Sequence, residues 1–235
     1  MGSSILKIEN IEGKCQGILE SLEEQEKISA AKTSYQYFRS SILGSKPTEL
    51  ERDRCALAMI KRHLVAEKGN ADRALKKIKV TIQYREKMMV DVIRVCFSDD
   101  IKNIDDEEFK SKCDEHRKGL ENELICGKLY IRSQTLDGRP IYISHSHLYT
   151  SGFDKDWYMK YNIFTLEKAI AIVERDSNGE QGKVVVAFDM GQFSASVRPP
   201  VSLTRDLVYC LQNHYPERVE KILVVSLCNI VSFYE

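Results

Sequence analysis

The chain has 235 residues, of which 43% are hydrophobic and 30% charged, with Lys+Arg and Asp+Glu equal at 35 each. That length suits one large domain or a small module beside a larger one, and the composition is that of an ordinary globular protein. The charge balance excludes a net field drawing the whole molecule to nucleic acid or anionic membrane, so any basic patch is local.

Residues 1–47 read as a polar extension, helical or flexible, with one weak apolar stripe at Ile18, Leu19, Leu22 and Ile28. Gly44-Ser45-Lys46-Pro47 interrupts it. Thr48-Glu49-Leu50-Glu51 is a capping box that opens a helix, and Leu57, Ile60 and Leu64 follow at helical spacing. Gly69-Asn70 ends that helix and caps the next, whose stripe is Leu75, Ile78 and Ile82. Residues 48–90 therefore predict a helical hairpin, within a helical module running to 126. The acidic run Asp105 to Glu108 suits a helix start, because carboxylates favour the positive end of the helix dipole.

From residue 127 the periodicity changes. Lys128 to Ile131 is strand-like, Asp137-Gly138 is a hairpin turn, and Arg139 to Ile143 resumes extended structure. A long helix is expected at about 155–175, then a turn at Ser177-Asn178-Gly179. Val184 to Phe188 is a continuous apolar run, as in a strand buried on both faces. A helix over 201–213 and a second buried strand over 221–227 complete an α/β pattern, with residues 127–235 as one sheet domain behind the all-helical module.

Seven cysteines, an odd number without a CxxC pair, point to reduced thiols rather than to a disulfide frame or metal site. No stretch approaches the length of a membrane span. The start, MGSSILKIEN, has no signal-peptide core, and Leu6 stands where a myristoylation signal has Ser or Thr. A soluble, cytoplasmic, monomeric protein is expected, with any membrane contact peripheral and transient.

Catalytic constellations are sparse. His145 and His147 lie two apart on a strand and face the same side, but no third metal ligand is evident. No G-x-S-x-G elbow and no phosphate-binding P-loop occurs. Asp189, at the end of a buried strand, is placed to brace the loop 191–200 through its backbone N–H groups, and Arg198 in that loop projects outward. The chain is read as non-enzymatic, without cofactor or metal.

Seven segments stand out together: Ile60-Lys61-Arg62-His63-Leu64, Lys68-Gly69-Asn70, Arg73-Ala74-Leu75, Tyr84-Arg85, Asp137 to Tyr142, Val185 to Gly191, and Asn213-His214-Tyr215-Pro216-Glu217-Arg218. In this order and spacing they resemble the CRAL-TRIO family of lipid-binding and lipid-transfer proteins. The resemblance covers about residues 50–235. It implies a helical module beside a mixed α/β sheet that floors a hydrophobic lipid pocket.

It also implies candidate site residues. Glu217 matches the glutamate of a Tyr-Pro-Glu-Arg segment that serves the head-group region where phosphatidylinositol is bound. The same segment is a helix stop at Pro216, with Arg218 near the negative end of that helix. Tyr142 matches a tyrosine near the choline site of yeast phosphatidylinositol/phosphatidylcholine transfer proteins, or is plain core. Val184, Val186 and Leu211 stand where those proteins have hydroxyl residues holding the phosphate, so that pose loses hydrogen bonds worth about 1–3 kcal/mol each. A sterol-, tocopherol- or retinoid-like ligand fits these positions as well as a phosphoinositide does. The expected walls are Tyr142, Val184, Val186, Phe188, Leu211 and Val225, with Glu217 near the polar end.

Members of the family continue past the point matching Glu235 with a gate helix and a further strand. The chain is therefore expected to be a fragment, or to close its pocket differently. Enclosing two sixteen-carbon chains is worth on the order of 20 kcal/mol gross, at ~0.8 kcal/mol per methylene. An ungated apolar floor is also a docking face. The expected function is binding one lipid and transferring or presenting it at membranes. The alternative is a non-catalytic regulatory module that uses the same fold to dock a protein partner.

Overall fold

The computed structural model describes residues 2–145, 148, 154–191 and 200–225, and the chain forms two compact units. The first holds the helices up to Met88 together with Gln212–Glu217, and the second holds the described residues from Met89 to Leu211 and from Arg218 onward.

In the first unit, α1 (Gly2–Glu20), α2 (Glu24–Ala31), α3 (Tyr35–Ile42), α4 (Glu49–Ala66) and α5 (Ala71–Lys87) follow one another. The expected capping box is formed: the Thr48 hydroxyl accepts from the Glu51 N–H at 3.2 Å, and the Glu51 carboxylate accepts from the Thr48 N–H at 2.8 Å. Asn70 caps α5 by accepting from the Arg73 N–H at 3.0 Å. Gly69 ends α4 with φ +80°, a left-handed turn that a side chain would strain. Ile60, Leu64 and Ile78 are fully buried, and Ile18 and Leu19 of α1, with Leu22 just after it, enter the same core.

The second unit begins with α6 (Val90–Val95), a 3-10 turn (Asp99–Asn103) and α7 (Glu107–Ile125). The acidic run does start α7, with Asp106 accepting from the Phe109 N–H at 2.9 Å. Then come β1 (Leu129–Gln134), β2 (Pro140–His145), α8 (Lys155–Asp176), β3 (Val184–Asp189), α9 (Val201–His214) and β4 (Val219–Val225). The strands form one mixed sheet in the order β1-β2-β3-β4, with β1 and β2 antiparallel and the other neighbours parallel. Thus the α/β class with an N-terminal helical part holds.

One expectation fails within this unit. β3 is buried as its apolar run predicts, but Ile222, Leu223, Val224 and Val225 of β4 are 60%, 43%, 52% and 42% exposed. Among the described residues β4 pairs only with β3, so its outer edge and parts of both faces lack cover. A run of apolar residues gives a strand without saying what packs against it.

Candidate ligand site

Strand register sorts the candidate residues onto two faces. Partners across a ladder point the same way, and neighbours along a strand alternate. Tyr142 is in register with Val186, and Ser144 with Phe188, so Tyr142, Val184, Val186 and Phe188 share one face. Asp189 is in register with Val225, which places Val225 on the opposite face.

The first face packs against α8. Tyr142 donates from its hydroxyl to Asn162 Oδ1 at 2.8 Å, and the Asn162 amide donates to the Tyr158 carbonyl at 2.8 Å. Burial pushes the Tyr142 hydroxyl well above its ordinary pKa, so it stays a neutral donor. Val184 and Val186 are 0% and 6% exposed, while Phe188 is half-buried. The Tyr161 hydroxyl, pushed up to about 12 mainly by burial, bonds the backbone of Leu129 and holds α8 to β1.

The second face carries a polar chain at its carboxyl end. Tyr130, Ile143, His145, Ala187, Asp189 and Val225 lie on it. His145 and Asp189 are the last residues of parallel strands β2 and β3 and are in register. His145 Nδ1 lies 3.0 Å from Asp189 Oδ2, and His145 Nε2 lies 2.8 Å from the Tyr130 hydroxyl. The other Asp189 oxygen accepts from the Gly191 N–H at 2.9 Å, which is the loop-bracing role read from the sequence. The pairing of His145 with Tyr130 and Asp189 was missed. Reading His145 beside His147 used strand periodicity, whereas its partners come from register. His147, Arg198 and the rest of the loop 192–199 lie outside the described residues.

Leu211 is half-buried near the end of α9. The residues after it belong to the helical unit. There the His214 ring stacks on Tyr84, with centroids 3.8 Å apart and planes 8° apart. Thr81 donates to the Asn213 carbonyl at 3.1 Å, and its hydroxyl lies 3.1 Å from His214 Nδ1. Lys77 donates to the Asn213 side chain. Burial, then Lys77 and Arg85, lower the His214 pKa to about 4. Burial, then Arg62, His214 and Lys77, lower that of His63 to about 3.

The charged pair after Pro216 is split. Glu217 is exposed and has φ 58°, the left-handed region that disfavours side chains. Arg218 is 4% exposed; it donates to Glu174 of α8 at 2.8 Å and to the Gly182 carbonyl at 3.0 Å. Its anchor is thus a carboxylate far away in sequence, not the end of α9 as the sequence suggested.

A model of the CRAL/TRIO domain matches residues 125–234, which contain the whole described sheet. No curated protein matches the chain. The match makes this region, just under half of the chain, similar to the CRAL/TRIO domain. Proteins of that family are in general non-enzymatic carriers. No described helix is long and apolar enough to cross a membrane.

Proposed function

We propose that the CRAL/TRIO region holds one hydrophobic ligand against its sheet and carries or presents it at membranes in the cytoplasm. The observation that supports this most is the apolar exposure of β4, where four successive side chains from Ile222 to Val225 are each more than 40% exposed. Covering apolar surface is favourable by roughly 25 cal/mol per Å², so a lipid chain lying on this strand gains several kcal/mol. Val225 is the exposed member of the proposed walls, Phe188 and Leu211 are half-buried, and Tyr142, Val184 and Val186 are buried on the face that α8 covers, opposite Val225.

Val184 and Val186 are apolar and buried, which disfavours phosphatidylcholine with its phosphate there relative to a sterol- or tocopherol-like ligand, or a phosphoinositide whose head group lies elsewhere. The same exposed strand also suits a protein partner, as in the docking-module reading.

Transfer of a pyrene-labelled lipid between vesicles tests the proposal. The protein is expected to accelerate transfer above the spontaneous rate. Leu223→Asp, at a position 43% exposed, should remove that acceleration while circular dichroism stays unchanged. No acceleration by the unaltered protein would reject the carrier reading and leave the docking module.

A further inference from the structure

We infer that Tyr130, His145 and Asp189 form a polar-end subsite that selects a ligand bearing a hydroxyl donor. The inference rests on the hydrophobic-ligand reading of the same sheet. His145 and Asp189 end the parallel strands β2 and β3, where α/β sheets hold their ligands, and the Tyr130 hydroxyl of the antiparallel β1 lies against His145. They stand next to an apolar rung, Ile143, Ala187 and Leu223, on the same face. An amphiphile lying on that face has its polar end at Tyr130.

The proposed tautomer of His145, with its proton on Nδ1 and Nε2 bare, gives the chain one direction. A carboxylate only accepts, so Asp189 Oδ2 takes a proton from His145 Nδ1. Nε2 is then the acceptor. Tyr130 has one hydroxyl hydrogen, and Nε2 takes it across 2.8 Å. What the Tyr130 oxygen has left is lone-pair capacity, and His145 is its hydrogen-bond partner among the described residues. It accepts from a ligand hydroxyl. An ether, a ketone or a phosphodiester offers acceptors only and meets acceptor against acceptor.

Binding of a pyrene-labelled long-chain alcohol and of its methyl ether, followed by fluorescence, tests this. The two differ by one donor. The unaltered protein should prefer the alcohol by about five- to tenfold, the worth of one net hydrogen bond. Tyr130→Phe should bind both equally. His145→Leu keeps the tyrosine but frees its hydrogen, so it should bind the ether more tightly than the unaltered protein does, a change that mere loosening of the sheet does not produce. Displacement by cholesterol would assign the donor to a sterol-type alcohol, and displacement by phosphatidylinositol to ring hydroxyls; either source is a hydroxyl donor. Equal binding of alcohol and ether by the unaltered protein, or a preference that survives Tyr130→Phe, would overturn the inference and leave the hydrophobic-ligand reading standing. Binding of neither compound would sink both.

Discussion

Gly119 is where α7 makes room for the indole of Trp157, the chain's only tryptophan. A Cβ there would overlap the ring, which His116 also meets edge-on at 5.6 Å and Lys160 covers at 4.2 Å. Gly119→Ala should therefore cost about 1–3 kcal/mol by overpacking and shift the tryptophan emission; an unchanged melting curve would show that the ring has room to move. Arg218 is a second single-residue constraint. Removing one member of a buried pair costs about 3–5 kcal/mol, whereas replacing both with apolar residues is close to neutral. Arg218→Met should thus be severe in urea melts, and Arg218→Met with Glu174→Leu much milder. Glu217 separates two readings. Glycine relieves its left-handed backbone, so Glu217→Gly should raise stability by about 0.5–1 kcal/mol. If lipid affinity falls at the same time, the carboxylate serves the head group; if not, it is part of the turn alone. The sequence made the pair visible but not its division of labour, because Arg218 is claimed by Glu174, 44 positions away.

At the scale of elements, helices and strands were largely legible and their partners were not. The capping box and the Gly-Asn joint located α4 and α5 because those signals are local. The apolar stripe of α5, Leu75, Ile78 and Ile82, does pack on the core, but its most buried positions are Ala74, Ile78, Thr81 and Arg85. Two of these are polar, and Thr81 faces Asn213 and His214, more than 130 positions later. No local period announces such a contact. It has a consequence for pH. His63 and His214 have folded pKa values near 3 and 4, below the ordinary 6.5. The unfolded chain therefore takes up protons first as pH falls. The stability held by these neutral rings is complete above about pH 6.5 and is lost between there and about pH 4 for His214, or about pH 3 for His63. One pH unit is worth about 1.4 kcal/mol per group, so each histidine should remove about 2 kcal/mol between pH 7 and pH 5. Hydrogen exchange should show α5 and residues 212–217 losing protection together over that range. Protection in α5 that does not change with pH would mean that these rings are not held neutral.

At the scale of the whole molecule, the chain enters the helical unit twice, first up to Met88 and again at Gln212–Glu217. Helices 1–5 expressed without residues 212–217 would leave Thr81 and Tyr84 without His214, and should melt below the same helices in the full chain. The sheet unit has a packed side, where α8 covers Tyr142 and Val186, and an exposed apolar strand, β4. Alternation and β propensity revealed the strands. Which residues share a face depended on register, which is not legible in the sequence. The central claim is that this sheet holds a hydrophobic ligand. Native mass spectrometry of the protein purified from a eukaryotic host, followed by extraction of whatever is bound, tests it most directly. The expected result is a mass increment of one lipid per chain, with the extracted molecule bearing a free hydroxyl. A folded protein at its sequence mass alone, which also stays empty when incubated with lipid vesicles, would contradict it.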